Sequence, residues 1–319
     1  MKKSVLCLVR LPDDQLKFLR EHFEVTLIGD EDPAYQEKFE QAMKRVHGVI
    51  GSFFPLTPAV VTSAKNLEAV ATVSVGYDYV PLASLNSRGI KLTHTPDVLT
   101  ETTADLGFAL LMSAARRIVE VSDYMKAGQW EDSIDESIYG VDIHGKRLGI
   151  IGFGRIGQAV ARRGHFGFGM PISYYNRSEK SEAKEMNAKF SSLDELLKEC
   201  DFVVAVIPLS QETTRLIGAR EFSLMKKDAI FVNIARGKVV DEAAMVEALQ
   251  NKTIRGAGLD VFEQEPLPMT SPLLKLSNVV LTPHIGSASF QTRHAMAALA
   301  VKNLTMALQG EVPPNWVNP

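Results

Sequence analysis

The chain has 319 residues, of which 45% are hydrophobic and 23% charged, and its formal net charge is −3. That length exceeds one ordinary hydrophobic core and predicts two domains, and the composition is that of a soluble globular protein. The balance of charge leaves no basic footprint for nucleic acid, and no apolar run approaches the ~20 residues of a membrane span.

Residues 1–100 read as alternating short strands and helices. Strands are predicted at 4–9, 24–28, 48–50, 69–75 and 90–93, with helices at 13–23 and 35–46 and turns at Pro33, Pro55 and Pro58. The opening MKKSVLCLVR has the charged start of a signal peptide. Its apolar run ends at Arg10 after about six residues, short of the ~7–15 that such a segment needs, so a first strand explains it better. Cys7 and Cys200 lie far apart in apolar surroundings and match no metal spacing. Buried free thiols in a cytoplasmic protein are the expectation. VSVGYD (73–78) closes one strand, and the Gly76 N–H can meet a carboxylate. Taken alone, that stretch fits an ordinary strand-to-loop glycine better.

A single long helix is predicted over 103–126, because Leu106, Leu110, Ala114, Ile118, Val121 and Met125 recur at helical spacing. Thr102 and Asp105 resemble a capping box at its start. Residues 129–142 are polar and irregular. Beyond them an α/β pattern resumes, with strands at 148–151, 171–175, 202–207, 229–233, 256–261 and 278–281. Helices are predicted from the Ser192–Glu195 capping box to Cys200, at 241–250 and at about 289–309. Such alternation predicts a doubly wound parallel sheet covered by helices.

The most informative stretch is RLGIIGFGRIG (147–157), a buried strand followed by a G-x-G-x-x-G loop and a helix start. Gly152 permits a tight turn, Gly154 lets a pyrophosphate approach the backbone, and Gly157 lets helix and strand pack closely. About 20 residues further on, where an acidic residue would hold the ribose 2′-OH of NAD, stand Asn176, Arg177 and Ser178, with Lys180 close by. These groups suit the 2′-phosphate of NADP. A solvated surface arginine is the plain alternative.

In a doubly wound sheet, ligands bind beyond the carboxyl ends of the strands. Arg236, Glu265 and His284 each follow a predicted strand. Together they can reduce a 2-keto acid: Arg236 holds the carboxylate and polarises the carbonyl, His284 donates the proton, and Glu265 fixes the imidazole. Singly, each also reads as a surface charge, a loop acid or a turn histidine. No metal is called for, because Arg236 supplies the electrophile.

The chain resembles the D-2-hydroxyacid dehydrogenase family from end to end. The resemblance is carried by VSVGYD (73–78), ETTAD (101–105), GFGRIG (152–157), NIARGKVVDE (233–242), GLDVFEQEPL (258–267) and PHIGSAS (283–289). Within that family the chain is most similar to the bacterial glyoxylate/hydroxypyruvate reductases, also called 2-ketogluconate reductases. HTPDVLTETTAD, RRIVEVSDYMKAGQW, HFGFGMPI and the Val-Asn-Pro ending carry this closer match.

The resemblance implies two Rossmann-like domains. A cofactor domain, residues 101–286, is inserted into a substrate domain built from 1–100 and 287–319. It implies a homodimer and assigns Arg236, Glu265 and His284 to substrate binding and acid–base chemistry. Val75 and Gly76 would offer N–H groups to the carboxylate. Asp260 and the carbonyl of Ile234 would hold the nicotinamide carboxamide. Arg155, Ile156, Pro208, Thr213 and Gly286 would line the cofactor, with Thr103 near its phosphates. One departure is visible. Where related reductases often carry a tryptophan that reaches the neighbouring subunit's pocket, this chain has Ser137, Ile138, Tyr139 and Gly140. The expected activity is NADPH-dependent reduction of glyoxylate, hydroxypyruvate or 2-ketogluconate. The rivals are a phosphite-type dehydrogenase and a cofactor-sensing, corepressor-like binding protein on the same fold.

Overall fold

In the computed structural model, residues 2–29 and 31–319 are described. The chain forms two compact units: unit 1 comprises Met1–Leu99 and Ala288–Pro319, and unit 2 comprises Thr100–Ser287.

Unit 1 begins with β1 (Ser4–Cys7), α1 (Asp13–His22), β2 (Glu24–Leu27), α2 (Tyr35–Met43), β3 (Gly48–Gly51), α3 (Pro58–Ser63), β4 (Ala69–Thr72), α4 (Leu82–Asn86) and β5 (Lys91–Thr93). Unit 2 follows with α5 (Thr100–Ala115), α6 (Ile118–Lys126), β6 (Leu148–Ile151), α7 (Arg155–Arg162), β7 (Ile172–Tyr175), β8 (Lys189–Phe190) and α8 (Leu193–Glu199). It is completed by β9 (Phe202–Ala205), α9 (Ala219–Leu224), β10 (Ile230–Asn233), α10 (Glu242–Gln250), β11 (Gly256–Leu259) and β12 (Val279–Leu281). The last helix, α11 (Phe290–Leu308), returns the chain to unit 1.

Unit 1 holds a five-stranded parallel sheet in the order β2-β1-β3-β4-β5. A parallel sheet is covered on both faces, so its inner strands are unbroken apolar runs and not alternating ones. GVIG and AVAT are buried throughout, whereas the edge strand β2 is largely exposed. α11 packs across β3 and β4, and at Gly48 a side chain would collide with Leu308 at 2.8 Å and Leu304 at 3.0 Å. The other edge, β5, is covered by the end of the chain. Val317 donates to the Leu92 carbonyl at 2.8 Å, and the Leu92 N–H donates to the Asn318 side chain at 2.7 Å. Covering an edge strand in this way removes a template for strand addition.

Unit 2 holds a seven-stranded parallel sheet in the order β12-β11-β10-β9-β6-β7-β8. β6 pairs with β7 on one side and β9 on the other, so the strand order reverses there and opens a crevice beyond the carboxyl ends. β6, β9, β10 and β11 are buried at every position. Each fully buried aliphatic side chain contributes about 1.5–3 kcal/mol. The capping box of α8 forms as its sequence predicts: Glu195 N–H donates to Ser192 Oγ at 3.3 Å, and Ser192 N–H to Glu195 Oε2 at 3.1 Å.

The helix expected over 103–126 is two helices, α5 and α6, broken at Arg117, whose φ is +54°. Residues 137–141 impose the break. The Val141 N–H donates to the Ala115 carbonyl at 2.9 Å, and the Arg117 guanidinium reaches Ser137 O at 2.5 Å while pairing with Glu120. The Thr102–Asp105 box does not cap this helix, because α5 already begins at Thr100 and Asp105 instead pairs with Arg163 at 2.6 Å. Several strands are also shorter than expected: β1 stops at Cys7, β4 at Thr72 and β9 at Ala205.

Candidate active site

The glycine loop closes β6. Gly152 has φ +99°, and a Cβ there would lie 2.6 Å from the Val206 carbonyl oxygen. A Cβ on Gly157 would lie 2.1 Å from the Gly152 oxygen, so no side chain fits where α7 passes its own strand. Gly154 is different: nothing lies within 4 Å of where its Cβ would be. It is the N-cap of α7 and supplies no capping side chain, so first-turn N–H groups face a backbone cradle of the kind that receives a pyrophosphate. The donor set and the space therefore fit a dinucleotide.

After β7, Asn176 Nδ2 donates to Ser178 O at 3.0 Å, forming the turn that presents Arg177 and Ser178 to solvent. Across the β6/β9 crevice, the Thr213 hydroxyl donates to Pro208 O at 2.7 Å and accepts from Ser210 N–H at 2.7 Å, closing the loop after β9. In that loop the Ser210 hydroxyl holds the Glu212 carboxyl below its ordinary value, and the charge of Arg177 adds to the effect.

Beyond β10, Asn233 is buried and spans the next turn, accepting from Ala235 N–H at 3.0 Å and donating to Arg236 O at 3.1 Å. Gly237 comes next, where a Cβ would fall 1.8 Å from the Phe262 carbonyl carbon. This contact locks the half-buried Arg236 segment to the segment after β11.

In that segment Glu265 uses both oxygens. Oε1 accepts from Phe262 N–H at 2.9 Å, and Oε2 lies 2.7 Å from His284 Nδ1. A carboxylate only accepts, so Nδ1 carries the proton and Nε2 is the ring nitrogen left for chemistry. Burial pushes the Glu265 carboxyl up, but the His284 hydrogen bond, the Phe262 N–H and the charges of His284 and Arg236 together hold it below its ordinary range. It is therefore ionised at neutral pH and can support an imidazolium.

His284 itself adopts φ +54°, a left-handed conformation uncommon outside glycine. Asp260, 2% exposed, enforces it: its carbonyl accepts the His284 N–H at 2.9 Å. Its carboxylate accepts the Thr282 hydroxyl at 2.7 Å, Ile285 N–H at 2.8 Å and Gly286 N–H at 2.9 Å. Burial raises this carboxyl above its ordinary value, against those hydrogen bonds and the His284 charge. The family resemblance implies Asp260 only as a cofactor contact. Its anchoring of 282–286 was hidden, because it depends on donors more than 20 residues away.

The profile of the D-isomer specific 2-hydroxyacid dehydrogenase NAD binding domain matches residues 108–286. Glyoxylate/hydroxypyruvate reductase B of Citrobacter koseri is 52% identical over 320 aligned positions, covering 100% of this chain and 99% of that protein. The chain belongs to the D-isomer specific 2-hydroxyacid dehydrogenase family. The Escherichia coli reductase of the same description is 51% identical over the same span, with 100% and 99% coverage. A crystal structure of a Thermus thermophilus protein superposes with TM-score 0.91 at 44% identity, covering 98% of this chain and 99% of that one. The NADPH-dependent glyoxylate/hydroxypyruvate reductase of Sinorhizobium meliloti, solved with NADP and malonate, gives TM-score 0.88 at 33% identity, covering 99% and 97%.

Unit 2 of this dehydrogenase thus gathers the glycine loop, Arg155, Ile156, Asn176–Ser178, Pro208, Thr213, Ile234, Arg236, Asp260, Glu265 and His284 beyond the carboxyl ends of one sheet. Gly286 and Thr103 meet there too: a Cβ on Gly286 would lie 3.2 Å from Thr103 Cγ2. Val75 and Gly76 belong to unit 1, in the segment that leaves β4. Among the described residues no group of three or more His, Cys, Asp or Glu is placed to hold a metal, and no helix is long and apolar enough to cross a membrane.

Proposed function

We propose that this dehydrogenase is an NADPH-preferring reductase of small 2-keto acids, converting glyoxylate, hydroxypyruvate or 2-ketogluconate to the D-2-hydroxy acid. The observation that carries the reading is the Glu265–His284 pair at 2.7 Å, set beyond β11 and β12 with Arg236 beyond the neighbouring β10. When bound, the dinucleotide supplies a hydride to the carbonyl carbon. Arg236 holds the substrate carboxylate and draws charge toward the carbonyl oxygen through its rigid fork. His284 gives that oxygen the proton from Nε2, while ionised Glu265 holds Nδ1–H and keeps the ring oriented. The Val75 and Gly76 N–H groups serve carboxylate recognition. Thr103, Gly152, Gly154, Arg155, Ile156, Gly157, Pro208, Thr213, Ile234, Asp260 and Gly286 line or shape the dinucleotide site.

The NADPH preference rests on Arg177 and Ser178, exposed after β7, with Asn176 and not an acidic residue directly following the strand. A homodimer through unit 2 is supported by the exposed apolar residues Ile118, Met125, Trp130 and Ile134 on and after α6. The buried, unpaired thiols of Cys7 and Cys200 suit the reducing cytoplasm.

The test is loss of nicotinamide absorbance with NADPH or NADH and each of the three acids, for wild type and His284→Ala. Fast NADPH oxidation in wild type, falling about 10²–10⁴-fold in the variant with cofactor binding intact, is expected. No turnover of any acid despite tight cofactor binding would overturn the reading and turn attention to phosphite.

A further inference from the structure

In unit 1 the Val75–Gly76 segment assigned to carboxylate recognition is itself held by a neighbouring segment. β4 and β5 are neighbours, so the segments that leave them, 73–78 and 94–97, run side by side. In the first segment three successive carbonyls are all occupied. Ser74 O accepts from Thr95 N–H at 2.9 Å and from the Thr72 hydroxyl at 3.3 Å. Val75 O lies 3.0 Å from His94 Nδ1, and Gly76 O accepts from the Ser74 hydroxyl at 2.7 Å. In a trans peptide the C=O of one residue and the N–H of the next point in opposite directions. Ser74 O and Val75 O are held by the 94–95 segment and Gly76 O by the local Ser74 turn, so the N–H groups of Val75, Gly76 and Tyr77 each point away from these partners. None of the three donates to another described residue. Consecutive outward N–H groups form a concavity suited to a carboxylate.

His94 is the one side chain in this set reaching across from the neighbouring segment. A carbonyl only accepts, so Nδ1 carries the proton. Its ring stands edge-on to Tyr77, with centroids 5.6 Å apart and planes at 84°. Its own backbone is anchored independently, by Asn303 Nδ2 on its carbonyl at 3.1 Å and by its N–H to Asn315 O at 3.3 Å. Asn303 is fully buried in α11, so the anchor is rigid while the His94 side chain is free to be changed.

The geometry points to His94 as a positioning residue for substrate: its hydrogen bond fixes the Val75–Gly76 peptide so that the Val75, Gly76 and Tyr77 amides receive the carboxylate of the 2-keto acid. This rests on the proposed 2-keto acid reading, yet its central readout is carboxylate binding and does not require turnover. His94→Leu removes the donor. His94→Asn keeps a donor near the position of Nδ1. His94→Ala serves as the donor-less variant should leucine not fold.

The experiment measures kcat and KM for glyoxylate and hydroxypyruvate, together with malonate binding to the NADPH-loaded protein, followed through the amide resonances of Val75, Gly76 and Tyr77. In wild type these three resonances shift on malonate addition. The donor-less variant weakens malonate binding and raises KM roughly three- to tenfold, the worth of one such hydrogen bond, with kcat within about twofold. Asparagine restores both. Unmoved amides in wild type, unchanged malonate affinity without the donor, or equal loss with asparagine and leucine would each overturn the inference. Should malonate binding depend on His94 while no 2-keto acid is turned over, the reductase reading fails and the positioning role stands.

Discussion

The open space at Gly154 allows the fold and the cofactor site to be separated by one methyl group. Gly154 has φ −80° and ψ −169°, a conformation alanine also adopts, and nothing lies within 4 Å of the new Cβ. Gly154→Ala loses some N-cap preference, about 1 kcal/mol, but stiffens the unfolded chain by about 0.4–1 kcal/mol. Its melting temperature should therefore stay within about 4 °C of wild type, given roughly 2–4 °C per kcal/mol for a domain of this size. The methyl group does, however, occupy the space where a pyrophosphate approaches the backbone. Overpacking there costs about 1–3 kcal/mol, which is roughly a 5- to 150-fold loss in NADPH affinity. Gly157→Ala is the counterpart. Its Cβ meets the Gly152 oxygen at 2.1 Å, so the helix must shift, and the melting temperature should drop by roughly 2–12 °C. Thermal unfolding without cofactor and NADPH fluorescence titration are run on both variants. Wild-type NADPH affinity in Gly154→Ala, or unfolding as early as in Gly157→Ala, would refute the reasoning.

Three further outcomes follow from the described contacts. Arg177→Ala should weaken NADPH binding by roughly 10- to 150-fold, the worth of hydrogen bonds to a charged phosphate, and leave NADH nearly unchanged; equal losses for both cofactors would exclude 2′-phosphate recognition. Asp260→Asn cannot accept from all three donors that now meet the carboxylate, so it should cost about 2–4 kcal/mol, read by urea unfolding, and lower kcat by releasing His284. The Cys200 thiol is pushed up by burial from 9.0 to about 12, so it should resist alkylation near neutral pH until the protein unfolds. The unfolded chain then gives up this proton near pH 9 while the folded one retains it. Cys200 therefore stabilises fully below pH 9 and withdraws about 1.4 kcal/mol per pH unit as pH rises toward 12. That slope should vanish in Cys200→Ala.

The sequence made some of these features readable and hid others, for physical reasons. The glycine loop was legible because each glycine answers a local steric demand within a few residues of chain. Buried parallel strands were legible as apolar runs, although their last residues were overextended: Val73, Val75, Val206 and Ile207 continue the apolar pattern after the ladder ends. The break at Arg117 was invisible because the apolar spacing continues through it, from Leu110 and Ala114 to Ile118, Val121 and Met125. Periodicity counts residues and does not register one left-handed backbone. In the event, Ile118 and Met125 lie on the exposed side of a separate helix. His94 opens the HTPDVLTETTAD stretch that carries the closer resemblance, yet nothing in that stretch shows what its side chain holds. Its partners lie 19 and 209 residues away, and nothing in the spacing of its neighbours brings them together.

The fit of α11 against Gly48 also bears on how this chain is made. Synthesis delivers β1 to β5 first, but the helix that covers β3 and β4 follows only after all of unit 2, residues 100–287. At about 5–20 residues per second that interval is on the order of 10–40 s. During it, one face of the first sheet lacks its cover and β5 lacks the strand-like tail that later shields its edge. Unit 2, continuous in sequence, has no such wait, because its last strand follows directly on the rest of its own sheet. A circular permutant starting at residue 288 would bring α11 out first, and a shorter protease-sensitive phase in ribosome-bound chains should accompany it. The amino-terminal third is thus the part that depends most on protection while the chain is being born.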